Sequence, residues 1–255
     1  MDSDHIAGEL LGVPIGPRSL PELVGAAAAA VASREARFTF ACANPHSLVT
    51  ARSDPAFREA LRQVDAVVAD GVGCRVGARL AGVQVGPRIT GFDFFAAMMA
   101  ELDRTRGRAF FFGSSEQVLA LLRARCAADF PAVTIETLSP PYGEWSPEQN
   151  ARFIAHINST RPDVLWVAMT APKQEKWMAL NLEALEVPVI GCIGAVFEYY
   201  AGTVHRAPQW VCRIGLEWLY RLAFEPFRLW RRTFVSAPVF LWAALLQRLR
   251  GPGKE

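Results

Sequence analysis

The stretch DVLWVAMTAPKQEKW, residues 163–177, joins a strand pattern to a helix pattern. Its first half is an almost continuous apolar run rich in branched and aromatic residues, which is typical of a strand covered on both faces. Its second half places Pro172 where we expect the first turn of a helix, a position at which the missing N–H costs nothing. A strand that leads directly into a helix is the repeating unit of a parallel α/β sheet.

The same alternation recurs along the chain. Strand patterns are predicted at 37–43, 65–69, 108–113, 132–137, 163–169 and 187–193, and helix patterns at 21–34, 47–63, 91–105, 115–128, 147–160 and 172–184. SPEQ at 146–149 is a capping box for the fifth helix. We therefore expect an α/β fold, a Rossmann-like and mostly parallel sheet with helices on both faces, in residues 1–195. Residues 196–255 are predicted to form a C-terminal helical appendage that associates with a membrane.

Composition narrows the class of protein. The chain has 255 residues, 51% of them hydrophobic, which suffices for a sizeable core. Five scattered cysteines without a Cys-x-x-Cys pair and four dispersed histidines predict neither a disulfide framework nor a zinc site, so a reducing cytosol fits best. No basic segment opens the chain, and no signal peptide is expected.

Charge is distributed unevenly. Residues 201–255 hold nine Lys and Arg against three Asp and Glu, whereas the first 200 residues hold 18 against 22. Four of the seven tryptophans also fall in this C-terminal segment, and basic residues interleaved with large apolar ones favour an anionic membrane surface over nucleic acid. Its apolar run TFVSAPVFLWAALL has 14 residues, short of the roughly 20 needed to span a bilayer. We expect an interfacial helix and a peripheral protein.

Asp70 follows the second strand pattern, in DAVVADGVG at 65–73. Ligands of such sheets bind outside the carboxyl ends of the strands. Two interpretations stay open from spacing alone. In the first, Asp70 is the N-cap of the next helix. In the second, it is a general base, and the small residues Gly71 and Gly73 leave room for a substrate hydroxyl to approach it.

Other strand ends also carry alternatives. Asn44 precedes Pro45 and is explained by an Asx-type turn that begins the next helix. If the first two strands are neighbours, Asn44 and Asp70 share one rim. The GSS at 113–115 either holds a phosphate or is an ordinary capped turn. It is not a G-x-G-x-x-G fingerprint, which makes an oxidoreductase a poor fit. Gly194 ends the sixth strand pattern.

Two basic features allow a functional interpretation as well as a plain one. Lys173 lies in the first turn of its predicted helix, against the helix dipole, so it either pairs with an anion or is simply solvated. GLEWLYRLAFEPFRLWRR at 215–232 spaces Arg221, Arg228 and Arg231 along one helical face. That face packs on the domain, or it forms a basic lid that grips phosphates.

Together these blocks resemble the WecG/TagA/CpsF glycosyltransferase family. The resemblance covers roughly residues 35–235 and rests on Asn44, ADGVG, PRITGFDFF, FFFGSS, APKQEKW, GAVFEYYAGTVHRAPQW and GLEWLYRLAFEPFRLWRR. It implies a metal-independent enzyme without cofactors that inverts the anomeric centre. Such an enzyme moves sugar from a UDP-sugar to a polyprenyl-diphosphate-linked saccharide at the cytoplasmic face of the membrane.

The resemblance also implies roles for individual residues. Asp70 corresponds to the catalytic base, Asn44 to a residue supporting it and Arg88 to an active-site arginine. Substrate-binding positions then comprise Cys42, Gly71, Gly113, Lys173, Gln174, Gly194, Arg221, Arg228 and Arg231. Family members often have Thr at the position of Cys42, and a thiol is the weaker hydrogen-bond donor.

We therefore expect an inverting hexosyltransferase of exopolysaccharide or cell-envelope synthesis. Its partners are the UDP-sugar, the lipid-linked acceptor and an anionic membrane, with no nucleic acid; a homo-oligomer is compatible with the sequence. No Asp-x-Asp pair follows a predicted strand, so arginines and helix N-termini must offset the charge of departing UDP. The alternative is a catalytically inactive, nucleotide-binding scaffold at the membrane.

Overall fold

The structure is a computed structural model that describes residues 8–204, 207–208, 211, 217–224, 227, 230 and 232–250, with the backbone alone for Glu217, Arg221 and Arg232. The strands are β1 Glu9–Leu10, β2 Val13–Pro14, β3 Phe38–Ala43, β4 Ala66–Ala69, β5 Arg108–Gly113, β6 Thr134–Leu138, β7 Val164–Ala168 and β8 Val189–Cys192. The α-helices are α1 Leu20–Ser33, α2 Pro45–Ser53, α3 Pro55–Arg62, α4 Val72–Ala81, α5 Gly91–Thr105, α6 Glu116–Asp129, α7 Pro147–Ser159, α8 Lys173–Asn181, α9 Val196–Ala201, α10 Glu217–Phe224 and α11 Ala237–Arg250. A π-helical turn, Arg232–Ser236, precedes α11.

Six strands form the main sheet in the order β4-β3-β8-β7-β5-β6. The pairings of β3 with β8, β8 with β7, β7 with β5 and β5 with β6 are parallel. Every predicted strand is present, and the α/β class with a mostly parallel sheet is confirmed. The predicted capping box of the fifth helix is also confirmed, because Ser146 and Gln149 exchange side-chain and backbone hydrogen bonds at the start of α7.

Three parts of the secondary structure differ from the sequence-based expectation, and one of them is α4, which was not among the predicted helices. The single helix predicted at 47–63 is wrong, because α2 and α3 are separate helices joined at Asp54. Pro55 cannot donate the N–H that a continuous helix needs, and the Asp54 carboxylate instead accepts from the N–H of Phe57 at 3.0 Å. The β1–β2 hairpin, two residues in each strand, was not predicted.

The described residues divide into two compact units. The first contains residues 8–19, 42–90 and the described part of 207–250, and the second contains residues 20–41 and 91–204. The second unit is built around Trp166 of β7, which is fully buried and packs edge-on against Phe94 and Phe95 of α5. A Cβ at Gly191 of β8 would overlap this indole, so the large ring requires glycine on the neighbouring strand.

In the first unit, α11 packs against α4 and α2. Phe240 is fully buried, and a Cβ at Gly77 of α4 would overlap its ring. The Gln247 side chain binds the β1–β2 hairpin, donating to the carbonyl of Glu9 at 2.6 Å and accepting from the N–H of Leu11 at 2.9 Å. Four of the 14 residues of the apolar run TFVSAPVFLWAALL are buried, so one side of the run belongs to a protein core.

The opposite side of the same segment is exposed. Trp242 is 62% exposed, and Phe234, Val235 and Val239 also face solvent. Within the described residues, no helix combines the length and the hydropathy that crossing a bilayer requires. The division at residue 195 into a catalytic domain and an appendage stays a prediction.

Candidate active site

Asp70 directly follows β4, and its backbone N–H donates to the carbonyl of Ala43 at the end of β3, at 2.8 Å. Gly71, with φ of +87°, occupies the N-cap position of α4 and offers no side chain to cap it. The interpretation of Asp70 as an N-cap is therefore wrong. A Cβ at Gly71 would meet no atom of the described residues within 4 Å, so these residues leave the backbone beside the carboxylate open.

The Asp70 carboxylate acts electrostatically on Cys74, one turn into α4. Burial is the main cause that raises the pKa of the Cys74 thiol well above its usual value, and the negative charge of Asp70 adds to it. The thiol donates to the carbonyl of Ala43 at 3.2 Å. Cys74 is thus a buried structural thiol that packs the start of α4 against β3.

Asn44 ends β3 and caps α2 in a reciprocal capping box. Its Oδ1 accepts from the N–H of Ser47 at 3.0 Å, and its N–H donates to Oγ of Ser47 at 2.8 Å. The turn predicted at this residue is confirmed. Because β3 and β4 are neighbours, the shared rim of Asn44 and Asp70 is confirmed too. The role of Asn44 in supporting Asp70 as a base stays a prediction.

Cys42 and Arg88 lie in the same unit as Asp70. Cys42 is the penultimate residue of β3, and Arg88 lies in the connection from α4 to α5; both are half-buried. That connection packs tightly, since a Cβ at Gly86 would overlap the backbone of Pro17. Arg88 is therefore carried by a segment whose backbone position is constrained.

Gln174 links the ends of two strands in the second unit. It is only 4% exposed, and its Oε1 accepts from the N–H of Met169 after β7 at 3.2 Å and from that of Gly194 after β8 at 3.1 Å. Its Nε2 donates to Oε1 of Glu175 at 2.8 Å. Gly194 has φ of +58°, a left-handed conformation suited to glycine. The predicted positions Gln174 and Gly194 are thus bonded to each other.

Glu175 was not singled out from the sequence. It is 1% exposed, and its Oε2 has no hydrogen-bond partner within the described ranges. Burial raises the pKa of this carboxyl to about 7. The sequence pattern of α8 could have predicted this burial. Gln174 and Glu175 stand four and three residues before the buried Met178 and so share its helix face.

Lys173 begins α8, and Pro172 occupies the N-cap position instead of the predicted first turn. The ammonium donates to the carbonyl of Gly143 at 2.7 Å and lies 4.1 Å from the centre of the Trp145 ring. Lys173 therefore holds the loop that follows β6. Its predicted pairing with a substrate anion stays untested.

The GSS turn is a capped βα turn. Ser115 caps α6 by accepting from the N–H of Val118 at 3.3 Å. A Cβ at Gly113 would overlap the carbonyl of Ala168, so close strand contact explains this glycine. Ser114, with φ of +58°, donates from Oγ to Glu198 at 2.8 Å.

The three arginines of the predicted lid lie wholly or partly outside the described residues. Arg221 lies in α10, but its side chain is outside the description, and Arg228 and Arg231 lie outside the described residues altogether. In the part of the chain that is described, no three His, Cys, Asp or Glu side chains gather in a way that could hold a metal ion.

The buried Glu175 gives a pH-dependent stability that Glu175→Gln should remove. The pKa of about 7 in the folded state exceeds the ordinary 4.5, so the folded protein binds the extra proton between these values. Stability contributed by this group therefore falls as pH rises from about 4.5 to 7. The unfolding free energy of the variant minus that of wild type is measured by denaturant titration at pH 5 and at pH 8. This difference should be about 2–3 kcal/mol larger at pH 8. An identical difference at both pH values would contradict the buried titration.

Comparison with known proteins places the chain in a family. The WecG/TagA/CpsF glycosyl transferase family matches residues 8–254. A relative from Bacillus spizizenii is 32% identical over 204 residues, covering 80% of this chain and 77% of the relative. One from Bacillus subtilis is 28% identical over 203 residues, covering 79% and 77%. Both are named N-acetylglucosaminyldiphosphoundecaprenol N-acetyl-beta-D-mannosaminyltransferase. The resemblance noted in the sequence is confirmed, and the chain belongs to the WecG/TagA/CpsF glycosyltransferase family.

Proposed function

We propose that this protein is an inverting glycosyltransferase that moves a hexose or N-acetylhexosamine-type sugar from a UDP-sugar to a polyprenyl-diphosphate-linked saccharide. The product would enter an exopolysaccharide or cell-envelope polymer. The observation that carries the proposal is the position of Asp70, which directly follows β4 beside the backbone of Gly71, the residue at the N-cap position of the next helix.

In this mechanism Asp70 is the general base. Its carboxylate takes the proton from the acceptor hydroxyl as that oxygen attacks the anomeric carbon of the donor. The bond from the anomeric carbon to the phosphate oxygen breaks, and UDP leaves with the electron pair. One displacement from the opposite face inverts the anomeric centre. Asn44 would hold the end of β3, next to the base, through its capping box.

The departing diphosphate needs positive charge. Arg88 lies in the same unit as Asp70, and Arg221, Arg228 and Arg231 add charge from the C-terminal segment. Arginine binds phosphate through two parallel hydrogen bonds, which suits this task without a metal ion. The N–H groups at the start of α4 would also favour the diphosphate, because helix N-termini attract anions.

Acceptor chemistry is supported by the two relatives. Their names describe transfer of an N-acetylmannosaminyl group to N-acetylglucosaminyl-diphosphoundecaprenol. A lipid-linked diphosphate sugar is therefore the acceptor class we propose here. The transferred sugar is proposed to be a hexose or an N-acetylhexosamine, and N-acetylmannosamine is the first candidate.

A lipid-linked acceptor requires the enzyme to work at a membrane. We place it on the cytoplasmic face as a peripheral protein, with α11 lying in the interface. The exposed Val239 and Trp242 support this placement, together with the excess of basic residues after residue 200. Tryptophan side chains suit the boundary between headgroups and acyl chains.

The base is tested by Asp70→Asn. Turnover at saturating acceptor should fall about 10²–10⁴-fold, the usual contribution of general-base assistance, while UDP affinity and the thermal unfolding midpoint change little. Asp65→Asn is the matched control, because Asp65 is exposed at the other end of β4. Transfer by the Asp70 variant within a few-fold of wild type would exclude this residue as the base.

Metal independence is tested with a chelator. Because arginines are assigned to the leaving group, the transfer rate should be the same in excess EDTA as in Mg²⁺ or Mn²⁺. A rate that collapses with EDTA and recovers when either ion is restored would show that a cation stabilises UDP instead.

Membrane contact through α11 is tested with Trp242→Ala in flotation with vesicles of phosphatidylglycerol and phosphatidylcholine. Losing this ring should weaken binding about tenfold, because its exposed apolar surface no longer enters the interface. Binding should also weaken as salt rises. Leu121→Ala is the control, since Leu121 of α6 is 50% exposed but lies in the other unit. Equal binding by both variants would contradict docking through α11.

A further inference from the structure

An apolar stripe runs along α4, the helix that begins beside Asp70. Three large aliphatic residues spaced four apart share one face of this helix and form the stripe, Val72, Val76 and Leu80. Each of them is 38–43% exposed, whereas the face that carries Cys74 and Gly77 is buried. Exposed apolar residues that line up in this way mark surfaces that meet a ligand or a lipid. The proposed mechanism uses none of these side chains.

The buried face of α4 lies against α11 in the same unit. A Cβ at Gly77 would overlap the ring of Phe240, and a Cβ at Gly82 would lie 3.5 Å from Nη1 of Arg248. The C-terminal half of α4 therefore follows the course of α11, the helix that the proposed function places in the membrane interface. The apolar stripe thus leads from the strand end that carries Asp70 toward this helix.

The position and the length of the apolar stripe suit a chain that is attached to the substrate of Asp70. The stripe begins at Val72, two residues after Asp70. From Val72 to Leu80 the helix rises about 12 Å, enough to contact a few isoprene units. A membrane surface does not require apolar residues to begin beside the base. A polyprenyl chain must start near it, because only a diphosphate and a saccharide separate the chain from the hydroxyl that the base deprotonates.

Two arginines border the apolar stripe. Arg79 is exposed and stands about two turns after Val72, so it lies on the same side of the helix, and Arg75 directly precedes Val76. Guanidinium groups bind phosphate oxygens through parallel hydrogen bonds, whereas aliphatic side chains contact hydrocarbon. Basic and apolar residues on one helix therefore match an acceptor in which a diphosphate is joined to an apolar chain.

We infer that the polyprenyl chain of the acceptor binds along the apolar stripe of α4, with Arg75 and Arg79 facing its diphosphate. This inference rests on the proposed function, because it takes the acceptor to be a lipid-linked diphosphate sugar. The stripe holds the chain while the saccharide reaches Asp70, and it makes the same contact before and during the reaction. Such a contact lowers KM for the acceptor and leaves kcat unchanged.

The test uses N-acetylglucosamine diphosphates that carry one, two or three isoprene units, dissolved without vesicles, so that binding to a membrane plays no part. With the UDP-sugar that the wild-type protein transfers, kcat and KM for each acceptor are measured in wild type and in the double variant Val76→Ser/Leu80→Ser. Leu121→Ser is the matched control, because Leu121 is an exposed aliphatic residue of the other unit. The thermal unfolding midpoint and flotation with acceptor-free vesicles are measured for every variant.

In wild type and in the control, KM should fall as isoprene units are added. The double variant should raise KM for the three-unit acceptor about tenfold, because apolar contact with the chain is lost, and should change kcat and the KM for the one-unit acceptor little.

The inference is overturned if KM in wild type is independent of chain length, or if the double variant raises KM equally for all three acceptors. It is also overturned if the double variant loses vesicle binding but keeps the wild-type dependence on chain length, since the apolar stripe is then a membrane contact. Wild-type protein that transfers sugar to none of the acceptors would instead refute the proposed function.

Discussion

Two hydrogen bonds to the side-chain amide of Gln174 organise the second unit at the carboxyl ends of β7 and β8. One oxygen receives the N–H groups that follow β7 and β8, so the two loops after these strands are fixed relative to each other. With 4% exposure and both ends of the amide engaged, Gln174 is a positioning residue in this structure. The substrate-binding role that the family resemblance implies for Gln174 stays a prediction beside this structural one.

Two carboxyl groups of the second unit, those of Glu175 and Glu198, have a solvent-shielded Oε2 without a hydrogen-bond partner among the described residues. Burial raises the pKa of the Glu175 carboxyl to about 7. Both residues stand just beyond the carboxyl ends of strands, where α/β sheets bind ligands. Sequences specify folds by satisfying local rules, and violations that persist tend to collect at functional sites. The two glutamates fit that expectation, and the four described cysteines are free thiols.

The sheet could be predicted from sequence because its strands are nearly continuous apolar runs, and α5 was predicted with both boundaries correct, Gly91 to Thr105. The break between α2 and α3 was missed because periodicity continues across Asp54, although Pro55 signals the interruption. α4 was absent from the predicted helices, and this left the N-cap interpretation of Asp70 open. Pairing of side chains such as Ser114 with Glu198, 84 residues apart, could not be predicted, since local patterns hold no information on distant contacts.

The proposed reaction transfers a sugar from a UDP-sugar to a lipid-linked diphosphate sugar. The most direct measurement is mass spectrometry of the products formed from a short-chain polyprenyl-diphosphate N-acetylglucosamine with a panel of UDP-sugars. We expect that one donor adds a single hexose or N-acetylhexosamine to the acceptor, that UDP is released in equal amount, and that release needs both substrates. If folded protein on vesicles leaves the acceptor unmodified with every donor, the proposed transfer reaction is contradicted.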